Sequence, residues 1–91
     1  MFKTLEELIA VIRQRKVSLS EDSYTKKLLN DKKLNIEKVK EEIVELIDAI
    51  EKDTNKVHEA ADVLYHLMVL LEANGIKIED VLDELKKRQK W

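Results

Sequence analysis

Between Val63 and Leu71 the chain reads Val-Leu-Tyr-His-Leu-Met-Val-Leu-Leu. Wound into a helix, that stretch is apolar nearly all the way round. Such a helix has no face to offer water and must be covered on every side. Its main stripe, Val57, Ala60, Ala61, Leu64, Leu67, Met68 and Leu71, recurs at helical spacing, and Val63, Val69 and Leu70 fall outside it. A chain of 91 residues has little protein to do the covering. The sequence therefore predicts a compact bundle completed by dimerisation through the region of its third and fourth helices, in a homodimer or a higher homo-oligomer.

The rest of the chain agrees with an all-α fold. It has no proline and a single glycine, with many Leu, Glu and Lys. Residues 1–91 are expected to form one domain of four to five helices. The absence of cysteine excludes disulfides and thiolate metal sites. A net charge of −2 argues against a general nucleic-acid binder. The N-terminus has no signal-peptide pattern and no apolar run reaches transmembrane length. The expectation is a cytoplasmic protein with neither nucleic acid nor membrane as partner.

In order, the first predicted helix runs from about Leu5 to Lys16, opened by a Thr4-x-x-Glu7 capping box and ended by Arg13, Arg15 and Lys16. Val17 to Glu21 reads as a loop, with Ser18 and Ser20 as turn residues. A short helix follows over Asp22–Leu29. Its Ser23-Tyr24-Thr25 beside Lys26 and Lys27 fits either an ordinary capped helix start or a phosphate contact. The third helix spans about Ile36–Lys52 with Asn35 as N-cap. Asp53-Thr54-Asn55 is short enough to make the third and fourth helices antiparallel neighbours. The fourth spans about Lys56–Asn74 with Gly75 at C′. The fifth, about Ile78–Lys90, is expected to turn Ile78, Val81, Leu82 and Leu85 inward and has only Lys77 as cap.

On the third helix Glu42 and Glu45 lie about 60° apart, one turn up the same side. Glu59 and Asp62 repeat that geometry on the fourth. Alone, the acids of the third helix read as a solvated face with Lys–Glu pairs. Glu59 and Asp62, at the start of a helix that must be buried, do not fit that reading, because acids are seldom buried unless paired or metal-bound. Four facing carboxylates repel unless a hard cation sits among them, and Mg²⁺ takes carboxylate oxygens while keeping waters for phosphate-rich substrates. His66 reads as a hydrogen-bonded core residue rather than a ligand, and His58 as a surface residue.

Glu41-Glu42-x-x-Glu45, followed after thirteen residues by Glu59-x-x-Asp62, resembles the signature of the all-α nucleoside-triphosphate pyrophosphohydrolases, the MazG-like superfamily. Ser23-Tyr24-Thr25-Lys26-Lys27-Leu28-Leu29 and Glu59-Ala60-Ala61-Asp62-Val63-Leu64-Tyr65-His66-Leu67 are similar to segments of the phosphoribosyl-ATP pyrophosphatase family. Lys38-Val39-x-Glu41-Glu42 and Gly75-Ile76-Lys77-Ile78-Glu79-Asp80-Val81-Leu82 match as well. The chain departs from the family pattern at Lys40, where glycine is usual, and at Leu19-Ser20-Glu21-Asp22, where proline is usual. The resemblance implies Mg²⁺-dependent hydrolysis of phosphoribosyl-ATP to phosphoribosyl-AMP and pyrophosphate, in histidine biosynthesis. It implies metal ligation by Glu42, Glu45, Glu59 and Asp62, and a catalytic role for Glu41, either in orienting or deprotonating water or in sharing the metal. It further implies substrate contacts from Arg15, Ser23, Tyr24, Thr25, Lys27 and Lys38. Two alternatives stand beside it: a general or house-cleaning nucleoside-triphosphate pyrophosphohydrolase, and a non-catalytic helical interaction module.

Overall fold

The computed structural model describes residues 2–18 and 23–91. Among them are five helices and no strand: α1 (Lys3–Val17), α2 (Tyr24–Asn30), α3 (Lys32–Lys52), α4 (Lys56–Ala73) and α5 (Ile78–Lys87). The expected Leu19-Ser20-Glu21-Asp22 loop and helix start lie outside the described residues.

Two helix starts differ from expectation. Helix α1 begins two residues early, so Thr4 lies inside it and the capping box is not used; the N-cap is Phe2, whose carbonyl accepts from Glu6 N–H at 3.1 Å. Helix α3 begins at Lys32, and its cap is Asp31, whose Oδ1 accepts from Leu34 N–H at 3.1 Å. Asn35, the expected cap, sits inside α3 instead and is fully buried. Asp31 and Asn35 are equally good capping types. The choice falls to Asp31 because α2 ends there and a single residue serves as C-cap of one helix and N-cap of the next.

The turn between α3 and α4 holds Asp53 and Asn55 at φ of 54° and 51°, a left-handed conformation that Asp and Asn tolerate better than most residues. Gly75, at φ +69°, closes α4. The Ile76 N–H donates back to Leu71 O at 2.9 Å, the six-to-one bond of a glycine-ended helix.

Helix α4 is the spine and touches all four others. Its Met68 and Val69 join Ile9 and Ile12 of α1 and Leu28 of α2 in the buried core. This corrects the argument that one chain cannot cover Val63–Leu71. Within that run only Leu64 is exposed, because α1, α2 and α3 surround it. The exposed apolar side chains lie nearby instead: Ile43, Val44, Ile47 and Ile50 on α3, and Val57 at the start of α4. Helix α5 also differs. Ile78 packs against the core, but Leu82 and Leu85 are exposed.

Two of the three bases that end α1 are tied to other helices. Arg13 Nε donates to Glu72 at 3.0 Å, and both of its terminal nitrogens donate to Glu79, at 3.0 and 2.7 Å. Lys16 donates to the Glu72 carbonyl at 2.8 Å. One guanidinium thus pins α1 to α4 and α5, and its bond to Glu79 holds that carboxyl at about 2.

Asn35 yields a test of this packing. Neither amide atom of its buried side chain has a partner among the described residues, and an unsatisfied buried polar group costs about 1–3 kcal/mol. Asn35→Leu is therefore expected to raise the unfolding free energy in urea by about 1 kcal/mol or more. A loss of stability would mean that the amide is satisfied, for instance by a buried water.

Candidate functional site

The α3–α4 hairpin brings the predicted acids together. Single carboxylate oxygens of Glu42, Glu45 and Glu59 lie within 4.8 Å of one another. Asp62 joins from the next turn of α4, close enough for its charge to act on both Glu42 and Glu59. Glu45 sits opposite Glu59 and Glu42 nearer Asp62, which is the pairing of an antiparallel hairpin. A one-residue slip of either helix would rotate its acids by about 100° and scatter the group.

The cluster is short of positive charge. Glu42 is buried, Glu59 and Asp62 are half-buried, and Glu45 is exposed. Glu42 Oε2 and Glu59 Oε2 are both buried without a hydrogen-bond partner among the described residues. Burial pushes the Glu42 carboxyl up to about 7, reinforced by a hydrogen bond to Glu45 and by the charges of Glu45, Asp62 and Glu59. Glu59 is raised for the same first reason, burial, and then by the charges of Glu45 and Asp62.

The structure adds a residue that the sequence reading set aside. His58 Nε2 lies 3.4 Å from Asp62 Oδ2. His58, Glu59 and Asp62 form a second trio whose ligand atoms fall within 4.8 Å of one another. The i,i+4 spacing of His58 and Asp62 was the available signal.

Glu41 stands apart from the four. It is exposed, and its Oε2 accepts from Lys38 Nζ at 3.5 Å. Lys38 is raised by that neighbour first and by Tyr24 next, so Lys38, Glu41 and Tyr24 share one rim of the site. The three hydroxyls of Ser23-Tyr24-Thr25 are all engaged inside the protein. Ser23 Oγ caps α2 by accepting from Lys26 N–H at 3.2 Å. Thr25 Oγ1 bonds the Tyr65 hydroxyl. The Tyr24 hydroxyl lies 2.9 Å from His66 Nε2. His66 is the hydrogen-bonded core residue expected of it, buried, with Nδ1 at 2.7 Å from the Asp62 carbonyl. Arg15 is not brought to the acids, and Lys27 forms no ion pair with them among the described residues. Arg15 lines a cleft of ≈ 310 Å³ with Lys16, Lys26 and Ala73, and Ala73 is about 16 Å along α4 from Asp62. Lys27 is exposed on α2.

The donor set suits a hard divalent cation. It offers only carboxylates and one histidine, two of its oxygens are buried and unpartnered, and neighbouring oxygens are within the span of one ion. Opposed ligands of such a cation stand about 4.2 Å apart for bonds of about 2.1 Å. The group need contract only slightly to hold one.

Comparison with known proteins follows the same lines. The family model described as "Phosphoribosyl-ATP pyrophosphohydrolase" matches residues 5–89. A phosphoribosyl-ATP pyrophosphatase of Haloarcula marismortui is 44% identical over 90 residues, 93% of this chain and 92% of that one. One of Methanocella arvoryzae is 42% identical and covers 99% of this chain and 100% of its own. The Histidine biosynthesis bifunctional protein HisIE of Pyrococcus furiosus is 42% identical over 94% of this chain, which spans 41% of that longer protein.

The raised Glu42 makes the cation-free protein sensitive to pH. Its folded carboxyl takes a proton near pH 7, whereas the unfolded one does so at about 4.3. The folded state therefore binds more protons in between, and stability falls as pH rises from about 4.5 through 7. Glu79, held near 2, acts only below that window. In excess EDTA the thermal midpoint is expected to be higher at pH 5 than at pH 8, and Glu42→Gln to remove most of the difference. Equal slopes in the two proteins would contradict the repulsion.

Proposed function

Because the chain belongs to the phosphoribosyl-ATP pyrophosphohydrolase family, hydrolases of a phosphoric anhydride, we propose that it hydrolyses phosphoribosyl-ATP. The α–β anhydride is cleaved to phosphoribosyl-AMP and pyrophosphate, a step of histidine biosynthesis. Residues 1–91 act as one domain, and Mg²⁺ is the cofactor. The observation that carries this reading is the pair of buried, unpartnered oxygens, Glu42 Oε2 and Glu59 Oε2, inside a four-carboxylate group.

Glu42, Glu45, Glu59 and Asp62 hold the cation, with His58 beside them as a partner for Asp62. When bound, Mg²⁺ neutralises charge on the triphosphate and polarises the phosphorus under attack. Glu41 orients or deprotonates the attacking water; its exposure leaves it free to exchange a proton with solvent. Lys38, next to it, supplies an ammonium for a phosphate oxygen. Tyr24 lines the same rim and contacts the substrate. Ser23 and Thr25 fix α2 through bonds that each leave further hydrogen-bonding capacity at the hydroxyl.

The exposed Ile43, Val44, Ile47 and Ile50 of α3, continued by Val57 and Leu64 of α4, form an apolar face larger than scattered surface residues would give. A second copy of the chain covers it, through the region that the sequence points to. Sedimentation is expected to show a dimer, and Ile47→Asp to shift it towards monomer. A monomeric wild-type protein at micromolar concentration would overturn the assignment.

The activity has a direct assay. Pyrophosphate release from phosphoribosyl-ATP should require Mg²⁺. Glu42→Gln and Asp62→Asn should each lower it by at least about 10–100-fold, the loss that follows even from changing a residue that only supports a metal ligand. If either variant kept full Mg²⁺-dependent release, the ligand assignment would fail. Equally fast turnover of ordinary nucleoside triphosphates would point to a general pyrophosphohydrolase.

A further inference from the structure

His66 is buried, one turn beyond Asp62 on α4, and takes no part in holding a cation in the site described above. Both of its ring nitrogens are nevertheless committed. The Asp62 carbonyl, 2.7 Å from Nδ1, can only accept, so Nδ1 carries the proton. In the neutral ring Nε2 is then a lone-pair acceptor, and the Tyr24 hydroxyl at 2.9 Å donates to it. The Tyr24 ring stacks on Tyr65 at 6.3 Å and meets the His66 ring edge-on at 5.8 Å. About half of Tyr24 remains exposed, at 47%, on the rim it shares with Lys38. Helix α2, which carries Tyr24, is only two turns long. It reaches the α4 side of the site through two side-chain links to consecutive residues, Thr25 to Tyr65 and Tyr24 to His66.

We propose that His66 is a positioning residue for substrate binding: its Nε2 lone pair anchors the Tyr24 hydroxyl and so fixes the Tyr24 ring at the edge of the carboxylate group. The Asp62 carbonyl sets the tautomer that makes this possible. The chain of contacts therefore runs from the helix that bears two of the acids, through the imidazole, to a substrate-facing aromatic ring. This rests on the reading of Tyr24 as a substrate contact in phosphoribosyl-ATP hydrolysis.

Two isosteric replacements separate the two nitrogens. His66→Gln places an amide oxygen where Nε2 stood and can still accept from Tyr24. His66→Asn keeps a donor for the Asp62 carbonyl but does not reach Tyr24. The expected result is a KM for phosphoribosyl-ATP about threefold to tenfold higher in His66→Asn and in Tyr24→Phe, the worth of one neutral hydrogen bond. Values of kcat should change less, and His66→Gln should restore most of the KM. The Tyr24→Phe/His66→Asn double variant should be no worse than the poorer single one, because both break the same link. Multiplying effects, or equal KM values for the Gln and Asn variants, would overturn the proposal, since a merely structural histidine would not distinguish them.

Should His66→Asn fail to fold, ¹⁵N shifts of the His66 ring decide the link on the wild-type protein. Nδ1 is expected protonated and Nε2 bare, with Nε2 moving on Tyr24→Phe. The opposite tautomer, or an Nε2 indifferent to Tyr24, would overturn it. A wild-type protein inactive on phosphoribosyl-ATP would instead overturn the underlying functional reading. In that case the same shifts still decide whether His66 anchors Tyr24.

Discussion

The register of the α3–α4 hairpin sets like charges against one another, and most other features of the molecule bear on that arrangement. Glu42 and Glu45 face Glu59 and Asp62 at distances where carboxylates repel even near a protein surface. Two of their oxygens are buried without a hydrogen-bond donor among the described residues. A fold that keeps such a group must hold its helices in register by other means. The short turn with left-handed Asp53 and Asn55 does so at one end. The extended packing of α3 along α4 does so over the length of the hairpin.

The remaining helices act as braces for that hairpin. Helix α1 is fastened by Arg13 to both Glu72 and Glu79, and by Lys16 to the Glu72 carbonyl. Arg13 and Glu79 form a bidentate pair, a geometry that fixes orientation as well as adding energy. Helix α2 is too short to be stable alone. It is fixed by Leu28 in the core and by its two hydroxyl links to Tyr65 and His66. The carboxylate group is thus carried on two packed helices, and the half-exposed Tyr24 ring is tied to the same helix as two of the acids.

Much of this was legible in the sequence where the signal is local. The five helices, the Gly75 stop, the Asp53–Asn55 turn and the facing acids all follow from spacing or residue type. The difference at Asn35 arises because two residues of capping type, Asp31 and Asn35, stand one turn apart, and only burial and the neighbouring helix decide between them. At Thr4 the helix runs two residues further back, to Phe2, which caps it without a side-chain hydrogen bond. Links across the fold were not legible. Arg13 and Glu72 are 59 residues apart, and Tyr24 and His66 are 42; no periodicity connects them. The fourth helix was correctly read as needing cover on all sides. What periodicity does not supply is that the wrapping of α1, α2 and α3 covers Val63–Leu71 except for Leu64 and leaves the apolar excess on α3 and at Val57.

Repulsion among the four carboxylates is the feature that a divalent cation would relieve. Carboxyl ¹³C shifts of Glu42, Glu45, Glu59 and Asp62, followed by NMR at neutral pH while Mg²⁺ is added, test it most directly. All four resonances are expected to move together with a single affinity, with the Glu42 carboxyl shifting towards its ionised form as they do. Carboxyl resonances that stay in place in a large excess of Mg²⁺, with Glu42 still protonated, would contradict it.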